Sequence, residues 1–175
     1  MIKDSHFQKV TLTPLSPEDR EQFIEDNQEA FNYGALVEFG VRNTNFEEGD
    51  QIIARSRIEE SIDGGETYRI MCDGDVAGGM ILKTEGSRGA LEIMFVRPDL
   101  HGRGIGQAAW RAAEALHPEV TLWETHTPYF ETRNIHFYVN RLGFKIAEFY
   151  NEHHKDPHED GEESFMMFRF EKEIK

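Results

Sequence analysis

The sequence predicts an α/β domain, a mixed, mostly antiparallel sheet of about six to seven strands flanked by helices. Three observations predict it. Two short segments, 67–72 and 76–83, flank Asp73-Gly74-Asp75, a compact hairpin signal. An apolar run, 90–96, leads into a glycine-rich stretch and then a helical segment, 107–116, so the order there is strand, loop, helix. A second, longer hairpin, 144–150 with 164–170, closes the chain.

The remaining elements follow in order. Residues 10–15 alternate and read as a first strand. Ser16-Pro17-Glu18-Asp19 opens a helix, with Ser16 as N-cap, Pro17 at the first helical position and acids in the first turn. Phe23, Ile24, Ala30 and Phe31 give that helix its apolar stripe. The polar stretch 42–50 reads as a loop, and Ile52, Ile53, Ile58 and Ile62 suggest a second helix stopped by Gly64-Gly65. Residues 86–89 turn the chain into the strand 90–96. After a break at His117-Pro118 comes a strand over 120–125, then a helix from Asn134 with Gly143 as its C-cap residue. No repeat or linker divides the chain, so one domain over residues 8–172 is expected.

Composition excludes several classes. The net charge is −14, with 33 acidic residues against 19 basic ones. Phosphate-backbone binding needs a basic surface, so nucleic acid is not an expected partner. An acidic field favours a cationic substrate such as an amine; the plainer reading is that it serves solubility alone. No apolar run approaches the roughly 18 residues of a membrane span, so no membrane partner is expected. Residues 1–6 lack the apolar core of a leader, and a single cysteine, Cys72, rules out an intrachain disulfide, so a cytoplasmic location is the expectation. Cys72 lies in a predicted strand and reads as packing rather than as a nucleophile. The segment 151–164 carries His153, His154, His158, Asp156 and Asp160. Their spacing matches no closed zinc pattern; it reads as a solvated loop, with no metal expected.

Chemistry concentrates in the loop before the third helix. Glycines at 102, 104 and 106 let the backbone expose its N–H groups, and the following helix adds unpaired N–H groups and its positive dipole end. That arrangement binds a phosphate or pyrophosphate. A nucleotide-hydrolase loop requires Lys then Ser or Thr, where this chain has Gln107-Ala108. Gly104-Ile105-Gly106-Gln107-Ala108-Ala109 satisfies the dinucleotide pattern, with Glu124 about 20 residues on. Its context is wrong, because seven residues, 97–103, separate strand from first glycine and no βαβ repeat surrounds it.

A third loop family fits better. His101-Gly102-Arg103-Gly104-Ile105-Gly106, after Val96-Arg97-Pro98, resembles motif A of the GNAT acyltransferase superfamily, Gln/Arg-x-x-Gly-x-Gly/Ala, with His101 in place of the usual Gln or Arg. The segment 134–144, ending Leu142-Gly143-Phe144, resembles that family's motif B helix. The resemblance implies the GNAT fold, acetyl-coenzyme A as cosubstrate, and direct acetyl transfer to a small-molecule or peptide amine. In that family the first two helices and their loop border the acceptor. A non-catalytic acyl-coenzyme A binding module is the alternative, and a homodimer stays open.

The resemblance also distributes roles. The pyrophosphate is expected on the backbone of Arg103, Gly104, Ile105, Gly106 and Gln107, beside His101 and Gly102, with Arg97, Arg103 and Arg111 supplying positive potential and Asn134 and Tyr138 on the motif B side. The pantetheine arm is expected along Met94, Phe95 and Val96, with an N–H near Phe95 or Val96 as oxyanion donor. Glu92, in Glu92-Ile93-Met94-Phe95, is the candidate base, its pKa raised by partial burial; otherwise it is exposed or salt-bridged. Glu124 and His126 are the acceptor-side candidates. Tyr138 is the candidate acid at the sulfur, yet the family places its tyrosine at the position of Val139. One residue is about 100° of helix, which a local irregularity at the helix start would have to restore.

Overall fold

The computed structural model describes residues 8–39, 51–158 and 166–175. Among them, seven strands form one sheet in the order β1-β2-β3-β4-β5-β7-β6. These are β1 (Val10–Pro14), β2 (Glu66–Cys72), β3 (Asp75–Glu85), β4 (Arg88–Val96), β5 (Leu122–Pro128), β6 (Lys145–Tyr150) and β7 (Met167–Glu173). Every pairing is antiparallel except β4 with β5.

Helices cover both faces. On one side, α3 (Ile105–Leu116) buries Ile105, Ala109, Trp110 and Ala113 against Met80, Leu82, Leu91 and Trp123. On the other, α1 (Arg20–Phe39) and α2 (Arg55–Gly64) bury Phe23, Ile24 and Ile58 against Ile81, Ile93 and Phe95. A central strand between two apolar layers has to be apolar on both faces, and residues 77–82 of β3 are buried without interruption. An ion cluster pins α1 to the sheet. Arg69 on β2, 4% exposed, bonds Asp19 at 2.6 and 2.9 Å and Asp26 at 2.8 Å.

Several boundaries differ from the sequence reading. Pro17–Asp19 is a tight 3-10 turn before α1, and Ser16 closes it through its carbonyl, which accepts the Asp19 N–H at 3.1 Å; its side chain makes no capping bond. Ile52 and Ile53 precede α2 instead of belonging to it. β5 extends to Pro128, and β7 to Glu173 because it pairs with β5 along its whole length. The stretch 42–50 and residues 164–165 lie outside the described residues. Gly143, at φ +83°, does end the motif B helix, its N–H donating to the Tyr138 carbonyl. Cys72 is half-buried, and burial pushes its thiol above the usual pKa, against a nucleophilic role. No described helix is long and apolar enough to cross a membrane.

Two register features shape the site. Ile81 pairs with Ile93 and Leu82 with Leu91, so Glu92 has no partner and β4 bulges there. The extra residue switches the strand's faces: Leu91 points to the α3 layer, whereas Ile93 and Phe95 point to the α1 layer. Immediately beyond, β4 and β5 part. They pair only from Arg88↔Leu122 to Leu91↔Thr125, although both strands run on.

Candidate active site

The parted strands leave a free backbone edge. The Arg97 N–H donates to the Ala77 carbonyl at 2.8 Å, so position 97 faces β3. Alternation then turns Phe95 toward β3 as well, and aims the N–H and C=O groups of Met94 and Val96 into the gap. Of the two oxyanion-donor candidates, this leaves the Val96 N–H; the Phe95 ring is buried edge-on to Phe23 at 5.2 Å.

The glycine loop follows directly. Gly102 and Gly104 have φ of +78° and +75°, and Gly104 caps α3 from the left-handed conformation. The first helical bond runs from the Ala108 N–H to the Gly104 carbonyl at 3.0 Å. The N–H groups of residues 104–107 therefore precede any helical partner and stand open to an anion. A Cβ on Gly106 would lie 3.0 Å from Phe137 Cζ and 3.3 Å from Met94 Cε, so glycine keeps the space between helix and strand clear.

Loop and gap open into one cavity of about 510 Å³. It runs from Gly102–Gln107 along Met94–Val96 to Glu92, roofed by Ala30, Phe31 and Gly34 of α1 and walled by Asn134, Phe137 and Tyr138. Arg103, Arg133 and Arg141 supply its positive charge. Two of the arginines expected there are elsewhere. Arg97 is held by Asp99 at 3.1 Å and the Val76 carbonyl at 3.2 Å, and Arg111 is exposed away from the cavity. A signal for the replacements existed: residues 132–142 carry Arg133, His136 and Arg141 and no acid, in a chain of net charge −14.

His101 turns inward. Its Nε2 lies 2.8 Å from the Val96 carbonyl, which only accepts, so Nε2 carries the proton. Nδ1 then accepts from Arg133 at 3.5 Å, and Tyr33 of α1 meets the ring edge-on at 5.9 Å. The residue braces the loop against β4 and α1. Gln107 ties the loop from the other side, donating to the Arg141 carbonyl at 3.1 Å. Asn134 lines the cavity and donates to Thr127 at 3.4 Å.

Glu92 sits at the bulge and lines the far end of the cavity. Its side chain is 31% exposed, with Lys83 Nζ at 3.9 Å. Glu124 and His126 share its sheet face but do not line the cavity. Glu124 is bound to Arg169 at 2.9 Å, within a cluster that includes Glu148 and Glu171. His126 is 40% exposed, stacks on Tyr150 at 6.2 Å and has Asp156 at 4.0 Å. Loss of solvent around its ring holds the imidazole below its usual pKa, against the pull of Asp156, Glu124 and Glu92. A neutral imidazole at neutral pH is available as a proton acceptor.

Tyr138 owes its position to a backbone irregularity. After the short helix α4 (Thr132–His136), residues Phe137–Leu142 form a π-helical turn. Such a turn holds one more residue than an α-turn, which offsets the one-residue displacement seen in the sequence. Tyr138 lines the cavity while its ring packs on Phe144 and Phe170 at 6.0 and 5.5 Å, leaving it 9% exposed. Burial pushes its hydroxyl up to about 12, opposed by a hydrogen bond with Thr125. Among the described residues no group of His, Cys, Asp and Glu side chains could hold a metal ion.

The chain is similar to known proteins in sequence and in fold. Residues 42–144 match the model of the acetyltransferase (GNAT) family. The chain is 40% identical over 161 residues to the uncharacterized protein YrkN of Bacillus subtilis (strain 168), an alignment covering 90% of this chain and 84% of that protein. In fold it is similar to the PaiA N-acetyltransferase from Thermoplasma acidophilum, solved in complex with coenzyme A, at TM-score 0.64 and 18% identity, covering 95% of this chain and 99% of that one. The ribosomal-protein-S18-alanine N-acetyltransferase from Escherichia coli is similar at TM-score 0.64 and 15% identity, with 95% and 94% covered. With the glycine loop, the parted strands and the family match all on the same segment, the chain belongs to the GNAT acetyltransferase family, whose cosubstrate is acetyl-coenzyme A.

Proposed function

We propose that the protein is an N-acetyltransferase that moves the acetyl group of acetyl-coenzyme A directly to the amine of a cationic acceptor. The observation that carries this reading is one continuous cavity, which begins at the open N–H groups of the glycine loop, follows the free edge of β4 and ends at Glu92. The donor set suits a pyrophosphate followed by an amide-bearing arm. Residues 103–107 and Arg133 and Arg141 hold the phosphates, and the Met94 backbone pairs with the arm as a neighbouring strand does, the Val96 carbonyl being taken by His101. Acetyl-coenzyme A supplies the activated acyl group.

The chain's own residues then act at three points. The Val96 N–H, aimed into the gap, stabilises charge developing on the acyl oxygen. Glu92 draws a proton from the incoming ammonium, and His126, neutral on the same sheet face with Asp156 at 4.0 Å, stands behind it. Tyr138 donates a hydrogen bond to the departing sulfur. Complete proton transfer is disfavoured, because a hydroxyl at about 12 faces a thiol near 8.5, a gap of about 5 kcal/mol. The thiolate is instead stabilised where it forms and takes its proton from the acceptor's side or from water.

The test is a panel of amines (a polyamine, an α-amino acid, an aminoglycoside and a peptide with a free N-terminus) incubated with acetyl-coenzyme A, reading thiol release and acetylated amine together. Turnover with at least one, abolished in Glu92→Gln, is expected. Tight coenzyme A binding with no turnover on any of them would instead make the protein a binding module.

A further inference from the structure

His101 stands at the phosphate end of the cavity with its two nitrogens unequally held. Nε2–H is committed to the Val96 carbonyl at 2.8 Å. Nδ1 has only a long contact, Arg133 at 3.5 Å, and it meets that guanidinium with a lone pair. The groups around it are those the reading above gives to the phosphates: Arg103, Arg133, Arg141 and the open N–H groups of residues 104–107. All of these donate. A neutral Nδ1 among them is an acceptor, and an acceptor repels a phosphate oxygen. Few charged or titratable groups face the ring. Tyr33 of α1 meets it edge-on, Arg133 comes from α4, and Glu131 lies on the wall just before α4. Asp99, in the short turn before His101, is held by Arg97.

We infer that His101 binds the pyrophosphate by taking up a proton. In the free protein its ring is neutral and props Arg133. When the pyrophosphate arrives, Nδ1 is protonated, donates to a phosphate oxygen and releases Arg133 to the same anion. One proton passes from solvent to Nδ1, no covalent bond to the cofactor forms, and Nε2–H stays on Val96. A guanidinium beside Nδ1 disfavours the charged ring, and an anion in its place favours it. The exchange of Arg133 for phosphate therefore reverses the electrostatics at one nitrogen. The bond to Val96 gains as well, because an imidazolium is the stronger donor. The inference rests on the cofactor reading and adds a proton to it.

The probe is dephospho-coenzyme A, which keeps the pyrophosphate and lacks the 3′-phosphate, a monoester that titrates near pH 6 on its own. Calorimetric titration at pH 7 in PIPES and in Tris, buffers of different ionisation enthalpy, reads the protons exchanged. Uptake of roughly half a proton is expected for the wild type, because an ordinary imidazole titrates near 6.5 and the anion holds it charged about one pH unit higher. His101→Gln keeps a donor for Val96 and an acceptor for Arg133 yet cannot titrate, so its uptake is expected to vanish. The bound ring carries the extra proton, so wild-type affinity should fall about three- to tenfold from pH 6.5 to pH 8 and stay level in His101→Gln. A second readout needs no turnover. In protein labelled with ¹⁵N at histidine, the ring that disappears in His101→Gln should pass from the neutral Nε2–H tautomer to the doubly protonated form on addition of dephospho-coenzyme A. It should stay neutral with pantetheine, which has no phosphate. Equal proton uptake in wild type and variant, or a ring that stays neutral in the saturated complex, overturns the inference and leaves His101 as a brace. Failure of both dephospho-coenzyme A and coenzyme A to bind removes the cofactor reading, and the inference with it. Should the glutamine variant not fold, the wild-type spectrum still decides: if none of the chain's eight histidine rings becomes doubly protonated on saturation, the inference fails.

Discussion

Replacing Tyr138 with phenylalanine removes one oxygen and leaves a ring that packs on Phe144 and Phe170. Burial holds that hydroxyl at about 12, some 3.5 units above a thiol's ordinary 8.5, so it contributes a hydrogen bond to the sulfur and not a transferred proton. A hydrogen bond to a charged group is worth about 1.5–3 kcal/mol, which corresponds to a fall in kcat of roughly 10- to 150-fold. The ring keeps its packing and only a neutral hydroxyl is lost, so folding stability should fall by no more than about 1 kcal/mol. The assay is steady-state thiol release from acetyl-coenzyme A, paired with urea unfolding of the same preparation. Because full ionisation is not part of the step, the pH profile of kcat should show no alkaline limb that vanishes in the variant below about pH 11. Unchanged kcat with the stability loss intact would show that the hydroxyl serves the core alone, and an alkaline limb lost with the hydroxyl would refute the hydrogen-bond argument in favour of full proton transfer.

Four further outcomes follow from other parts of the structure. Glu92→Gln is expected to lower turnover by roughly 10²–10⁴ while coenzyme A affinity by calorimetry stays put; wild-type turnover across pH would shift the base role to His126. Gly104→Val places a β-branched residue at φ +75°, costing at least about 1–2 kcal/mol, and Gly106→Val pushes into Phe137 and Met94; each should weaken coenzyme A binding at least about tenfold, and unaltered titrations would remove the loop from the cofactor site. Arg69→Met strands Asp19 and Asp26 beneath α1 and should cost about 3 kcal/mol in chemical unfolding, less than for a fully buried cluster because Asp19 is a third exposed. His126 has a depressed folded-state pKa, so as pH falls through 6.5 the unfolded imidazole binds its proton first and stability declines. His126→Gln should therefore lose less stability than wild type between pH 7 and pH 5.5, and equal losses would contradict the burial argument.

What the sequence determined by itself is local. Glycines at 102, 104 and 106 between an apolar run and a helical segment specify an N–H-lined loop, since backbone freedom and unpaired helix termini depend on a few neighbouring residues. Strand identities, the Asp73-Gly74-Asp75 hairpin and the Gly143 cap were legible for the same reason. The tertiary structure decided what depends on partners far along the chain. Glu92 stands alone because β3 and β4 shift register across it, a property of two strands and not of one pattern. His101, the odd residue of its motif, folds back onto Val96 instead of reaching outward. Arg133 and Arg141 replace Arg97 and Arg111 around the cavity because Asp99 holds the first of these and the orientation of α3 exposes the second. Tyr138 looked misplaced by about 100°, and the π-helical turn that restores it has no marker in residue order. A helix accepts one extra residue where packing on Phe144 and Phe170 rewards the turn it produces, and that packing exists only once β7 has inserted between β5 and β6.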